Sequence, residues 1–88
     1  MKKVQKAHKH CRNNKEEINN SELCACFYCK KLFKPSEVVK WILFPSENTA
    51  CCPYCGIDSV LGNACGYDLT PKFIQQMNEF WFSIPKLS

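Results

Sequence analysis

With 88 residues and 45% apolar content, the chain has room for one domain with a modest core and excludes two. Ordering a chain costs on the order of 1.5 kcal/mol per residue, which small-core burial at about 25 cal/mol per Å² only roughly offsets, so a covalent or metal staple is expected. The formal charge of +4 excludes a uniformly basic protein once it is divided: Lys2, Lys3, Lys6, Lys9, Arg12 and Lys15 give residues 1–15 a net of +6, whereas residues 16–88 carry six basic against eight acidic side chains, a net of −2. The reading is therefore a basic N-terminal arm, 1–15, followed by a single domain, 16–88, that needs a staple.

The arm has no apolar periodicity beyond isolated Val4 and Ala7, so it reads as disordered or as a solvated helical extension. Its start lacks an apolar run of the kind that secretory signals carry, and neither Trp41–Ser46 nor Thr49–Ile57 approaches the roughly 18 apolar residues of a membrane span. A cytoplasmic setting without membrane contact is the expectation. Thiols stay reduced there, so the eight cysteines point to metal before disulfides. His8 and His10 form an HxH pair able to bind metal, although such a pair in an exposed arm commonly binds none. Asn13 or Asn14 caps a short helix through Lys15–Ile18, with Glu16 and Glu17 in the first turn, where the helix dipole favours anions.

The next stretch carries the main signal. Cys26-Phe27-Tyr28-Cys29 and Cys52-Pro53-Tyr54-Cys55 are two CxxC knuckles with 22 residues between their inner cysteines. A two-residue gap lets neighbouring sulfurs reach one ion, and two such turns supply the four thiolates of a tetrahedral Zn²⁺ site. Cys24 alternates with Cys26 on an extended chain and competes as a ligand, but the knuckle turn selects Cys26. Cys51 adjoins Cys52, and adjacent residues on a strand face opposite ways, so the spacing selects Cys52. Lys30 and Lys31, together with local amides, are placed to balance the charge of the thiolates.

Between the knuckles, Pro35, Ser36 and Glu37 read as a helix start, and Val38, Val39, Trp41 and Ile42 as about two turns of apolar face. Pro45 ends that element, Ser46–Asn48 form a polar turn, and Thr49–Cys51 lead as a short strand into the second knuckle. Gly56 occupies a position where knuckles commonly need positive φ. Asp58 and Ser59 make a turn, and Val60 and Leu61 return to the core. Thr70-Pro71 marks a helix start, and Phe73, Ile74, Met77, Phe80 and Trp81 recur on one stripe of a C-terminal helix to about Phe82, stopped by Pro85. The fold class expected is a small α+β, zinc-ribbon-like domain with short strands and flanking helices.

Catalysis finds little footing. Cys52-Pro53-Tyr54-Cys55 matches a glutaredoxin-type redox motif, but Gly56 follows at once and the second CxxC lies upstream at zinc spacing. Four knuckle cysteines close a zinc site that catalysis would need open. Nothing fixes His8 or His10 as a nuclease base, and Asp58 and Asp68 read as turn formers. A non-enzyme is expected.

The chain resembles a family of small, uncharacterised bacterial cytoplasmic proteins with a zinc-ribbon-like site. The likeness begins near His8 and Asn13–Ile18, passes through Cys24, Cys26–Cys29, Phe33, Pro35–Glu37 and Trp41, and is strongest at Cys52–Val60, which reads CPYCGIDSV. It extends weakly to Tyr67, Thr70 and Met77–Phe82. The resemblance implies one structural Zn²⁺ on Cys26, Cys29, Cys52 and Cys55, and brings no activity with it. Two roles stay open. One is a non-catalytic protein-binding module, for instance one that neutralises or regulates a partner as an immunity or antitoxin protein does. The other is nucleic-acid binding, with Lys2, Lys3, Lys6, Lys9, Arg12 and Lys15 on phosphates and Phe27, Tyr28 or Tyr54 stacked on bases.

Overall fold

The computed structural model of the chain describes residues 2–42 and 48–82; the expected break at Pro45, the Ser46–Glu47 part of its turn and the helix stop at Pro85 lie outside them. In chain order the elements are α1 (Lys3–Ala7), α2 (Lys15–Asn19), β1 (Cys24–Cys26), β2 (Leu32–Phe33), β3 (Trp41–Ile42), β4 (Thr49–Ala50), β5 (Val60–Gly62) and α3 (Pro71–Phe82). Short 3₁₀ turns cover His8–Cys11, Pro35–Glu37 and Asn63–Cys65. None of the described helices is long and apolar enough to cross a membrane.

The framework is a three-stranded antiparallel sheet, β2-β1-β5, with β3 and β4 paired separately. The central strand β1 is buried throughout because both of its faces are covered. Side chains alternate across a strand, so Cys24 and Cys26 look one way while Ala25 and the following Phe27 look the other. The first set packs with Ile18, Phe33, Val38, Ala50, Cys52 and Val60. The second packs with Leu61, Leu69 and the α3 residues Phe73, Ile74 and Met77. At the close approach between β5 and the end of α2, a Cβ on Gly62 would strike the Ser21 hydroxyl, which itself donates to the Glu17 carbonyl (2.8 Å) and accepts from the Ala64 amide (2.9 Å).

The helix α3 starts where the sequence places it. The Thr70 hydroxyl accepts from the Phe73 amide (3.1 Å) and the Thr70 carbonyl from the Ile74 amide (2.9 Å), while Pro71 supplies a first-turn residue that needs no donor. The stripe divides along its length: Phe73, Ile74 and Met77 are buried, whereas Phe80 and Trp81 are exposed, as is the neighbouring Phe82.

Two expectations are corrected. The stretch 1–15 does not stand off the domain as a solvated arm. Val4, Ala7 and Cys11 are buried in the same cluster as α3, and the Trp81 indole N–H donates to the Val4 carbonyl (3.0 Å). Their spacing of three and four residues makes one narrow apolar seam, enough to dock a short helix whose lysines stay in water. Pro35–Ile42 is not a two-turn helix either. A single 3₁₀ turn over Pro35–Glu37 is held by the Lys34 amide donating to the Glu37 carboxylate (2.7 Å), and the chain then extends, with Val38 buried, Val39 81% exposed, and Trp41–Ile42 paired to Ala50 and Thr49. A run of β-branched residues and tryptophan suits that extended conformation better than a helix.

Asn14 sits at the N-cap position of α2 but does not use its side chain as a cap. Buried, it donates to the carbonyls of His10 (3.0 Å) and Val60 (2.9 Å) and accepts from the Ala50 amide (3.0 Å), so one amide group ties the N-terminal segment to β5 and β4.

Candidate metal centre

The two knuckles are the same turn built twice. In the first, the Cys26 amide donates to the Lys31 carbonyl (3.0 Å), the Lys30 amide returns to the Cys26 carbonyl (2.8 Å), and the amides of Tyr28 and Cys29 point at Cys26 Sγ (3.4 and 3.5 Å). In the second, Cys52 donates to Ile57 (2.9 Å), Gly56 to Cys52 (2.9 Å), and the amides of Tyr54 and Cys55 point at Cys52 Sγ (3.3 and 3.5 Å). Each turn closes with a left-handed residue, Lys30 at φ 66° and Gly56 at φ 80°. The sequence predicts that role for Gly56. Lys30 fills the matching place at some strain, since a Cβ disfavours this region.

The turns face one another and bring Cys26, Cys29, Cys52 and Cys55 together, with all four sulfurs within 4.8 Å of each other. Cys26 and Cys55 lie 3.6 Å apart and Cys29 and Cys52 3.7 Å apart. A tetrahedron with metal–sulfur bonds of about 2.3 Å has edges of about 3.8 Å, so the donor set fits one tetrahedral ion. Cys26 and Cys52 are buried while Cys29 and Cys55 are half-buried at the rim, and the amides aimed at the two inner sulfurs are the kind of partners that steady metal-bound thiolates.

The electrostatics of Cys29, Cys52 and Cys55 point the same way. Burial pushes Cys52 up, but amide hydrogen bonds from Cys55 and Tyr54 and contacts with the Cys29 and Cys55 thiols more than offset it, holding Cys52 below the ordinary range. Burial raises Cys29, and raises Cys55 to about 12, with Cys26 and Cys52 adding repulsion. Cys52 is thus biased toward the thiolate, whereas Cys29 and Cys55 are biased toward the thiol. A divalent ion binding here therefore displaces protons from the rim cysteines.

The remaining candidate ligands lie elsewhere. Cys24 shares a face with Cys26 yet stands outside the cluster, fully buried and pushed up to about 12 by burial and the Glu37 charge. The His8 ring packs on Trp81, centroids 3.9 Å apart, with its pKa lowered by burial and by Arg12 against an opposing pull from Asp58. His10 Nδ1 faces the Glu17 carboxylate at 3.1 Å. Among the described residues, neither histidine joins a group of three or more potential ligands.

Lys30 and Lys31 do not attend the sulfurs: Lys30 Nζ donates to Gln75 Oε1 (2.9 Å) and Lys31 Nζ lies 5.3 Å from the centre of the Tyr54 ring. Charge balance falls instead to the amides and to a residue the sequence reading leaves as a turn former, Ser59, whose buried hydroxyl sits 3.1 Å from Cys26 Sγ.

Of the proposed nucleic-acid contacts, Lys2, Lys3, Lys6, Lys9, Arg12 and Lys15 are all exposed, though Lys2, Lys3 and Lys15 lie over the rings of Phe80, Phe73 and Trp41. Phe27 is fully buried and cannot stack on a base. Tyr28 and Tyr54 are exposed, Tyr28 edge-on to Phe82 and Tyr54 donating its hydroxyl to Glu37 Oε1 (2.6 Å). Comparison with protein-family models, curated proteins and solved structures returns no significant match.

Proposed function

We propose that the protein is a non-catalytic, structural-zinc protein that acts as a protein-binding module, neutralising or regulating one partner in the manner of an immunity or antitoxin protein. The observation that carries the structural role is the closed set of four sulfurs, which leaves no protein-free position for a substrate. Thiolate donors in a tetrahedral arrangement favour zinc, and iron is the competitor with the same donor preference. Zinc held by Cys26, Cys29, Cys52 and Cys55 would fix the two knuckles to one another. The exposed aromatic side chains Tyr28, Phe80, Trp81 and Phe82 support the binding role, because apolar surface of this kind is typical of protein interfaces.

Native mass spectrometry and metal analysis test the first half: one zinc per chain, lost in Cys52→Ser, is expected, and full zinc occupancy in that variant rejects the ligand assignment. Affinity capture with the zinc-loaded chain tests the second half, and failure to retain any protein across repeated preparations counts against it.

A nucleic-acid role is the second reading, favoured by the exposure of Lys2, Lys6 and Lys9, spaced four and three residues apart along the docked N-terminal segment. Deleting residues 1–15 would remove the core residues Val4, Ala7 and Cys11, so charge reversal of the lysines is the cleaner test. Salt-sensitive binding abolished by reversal promotes this reading; absence of binding at low salt removes it.

A further inference from the structure

We propose that the groove between α1 and α3 is a docking site for an acidic polypeptide segment bearing a bulky apolar side chain. The proposal names the partner class of the protein-binding reading above and rests on it.

The groove is a hollow of about 450 Å³ lined by Lys2, Lys3, Val4, Gln76, Glu79 and Phe80. Its floor is apolar, with Phe80 41% exposed although it shares a stripe with the buried Phe73, Ile74 and Met77. The α1 wall is cationic. Lys2 and Lys3 stand on it, Lys6 follows one turn on, and residues 1–15 contain no acidic side chain. The one carboxylate in the lining, Glu79, already accepts from Gln75 Nε2 (2.8 Å). Lys2 Nζ sits over the Phe80 ring, 5.8 Å from its centre, so a positive charge lies directly beside the apolar floor. An apolar anchor with a carboxylate near it in sequence matches that juxtaposition, and charge complementarity of this sort sets partner choice and speeds encounter.

The same contacts disfavour a nucleic acid as occupant. Base stacking needs a free ring face. At this end of α3, Lys2 covers a face of Phe80, His8 packs on Trp81, and the Trp81 indole N–H is committed to the Val4 carbonyl. A base stacked on the covered faces would have to displace these partners, whereas the apolar anchor of an acidic peptide packs on the exposed remainder of Phe80 and leaves Lys2 in place to meet a carboxylate.

The test uses the full-length zinc-loaded chain and fluorescence anisotropy at low and moderate salt. The probes are a short labelled Glu/Asp-rich peptide with a central Leu-Trp pair, the same peptide with lysine in place of its acids, and a labelled oligothymidylate. The acidic peptide is expected to bind best and to weaken with salt. Phe80→Ala and Lys2→Glu should each reduce its affinity by roughly tenfold, as loss of an interface anchor does. Lys40→Glu, which reverses a charge next to β3, should change it less than about twofold, as a charge change away from the contact does. Lys2 is exposed, so its reversal probes the groove without touching the core. No peptide binding at low salt overturns the proposal, as does equal loss in Lys40→Glu. Tighter oligothymidylate binding that falls with the same two substitutions replaces the peptide by a nucleic acid. A captured protein that binds both variants as tightly as the unaltered chain overturns the groove while leaving the protein-binding reading in place.

Discussion

The two faces of β1 are one residue apart in sequence and are held by different chemistry. On one side Ala25 and Phe27 meet a hydrocarbon layer from α3, Leu61, Leu69 and the N-terminal segment. On the other, Cys24 and Cys26 meet Ile18, Phe33, Val38, Ala50 and Val60, and the layer is completed by Cys52 with the rim thiols Cys29 and Cys55 beside it. Burying hydrocarbon stabilises the first face by itself. The second replaces part of that hydrocarbon with sulfur, which contributes little until a cation joins the thiolates. A chain of this size can afford one conventional layer, and a metal held by Cys26, Cys29, Cys52 and Cys55 would stand in for the rest of the other.

The sharpest break between the faces is metal removal or Cys52→Ser. Structural zinc on four thiolates is worth about 10 kcal/mol or more to folding. Chelation should therefore unfold the knuckles and the β3–β4 pair, read by amide hydrogen exchange, with α1 and α3 the last amides to lose protection. Simultaneous loss over both faces would show that the hydrocarbon side has no independent stability. Met77→Ala makes the converse change, because Met77 is fully buried on the helix side. Denaturant unfolding should show a loss of about 2–5 kcal/mol, while the metal content of the purified chain is unchanged. Asn14→Ala tests the tie between the N-terminal segment and the strands. It leaves the buried Ala50 amide and Val60 carbonyl without their side-chain partner, for an expected loss of about 2–3 kcal/mol; a change under ~0.5 kcal/mol would mean that water replaces the amide group, as bridging waters can.

The sequence exposes the metal face more fully than the helix face. Cys26, Cys29, Cys52, Cys55 and Gly56 are legible because a knuckle is a local object, its hydrogen bonds closing within five residues. Thr70-Pro71 and the α3 stripe are legible for the same reason. Docking of Val4, Ala7 and Cys11 was hidden by scale: two of the three are small side chains, and six cations among the first 15 residues dominate any reading of composition. Val38–Ile42 misled because apolar residues at neighbouring positions satisfy a short helical stripe as readily as a strand, and only pairing with Thr49 and Ala50 decides between them. Asn14 and Ser59 were out of reach for a different reason. Asn14 finds partners 36 and 46 residues away and Ser59 finds Cys26 33 residues away, and no local pattern announces a buried polar cross-link.

The smallest expected effect lies inside the metal face, where the turn built twice carries Lys30 in one copy and Gly56 in the other. Both positions need positive φ, and at Gly56 a Cβ would meet nothing within 4 Å, so glycine is there for its backbone and not for space. Gly56→Ala should destabilise the protein by about 1 kcal/mol, the cost of placing a Cβ in the left-handed region. Lys30→Gly relieves the same strain but frees the unfolded chain, and it also removes the exposed hydrogen bond to Gln75; these partly cancel, leaving a gain of at most about 1 kcal/mol. Opposite signs in thermal unfolding, with metal content unchanged in both variants, would establish the two knuckles as equivalent turns under unequal strain. A loss on Lys30→Gly comparable to that of Gly56→Ala would instead assign Lys30 a contact role through Gln75, tying the first knuckle to α3 and so to the hydrocarbon face.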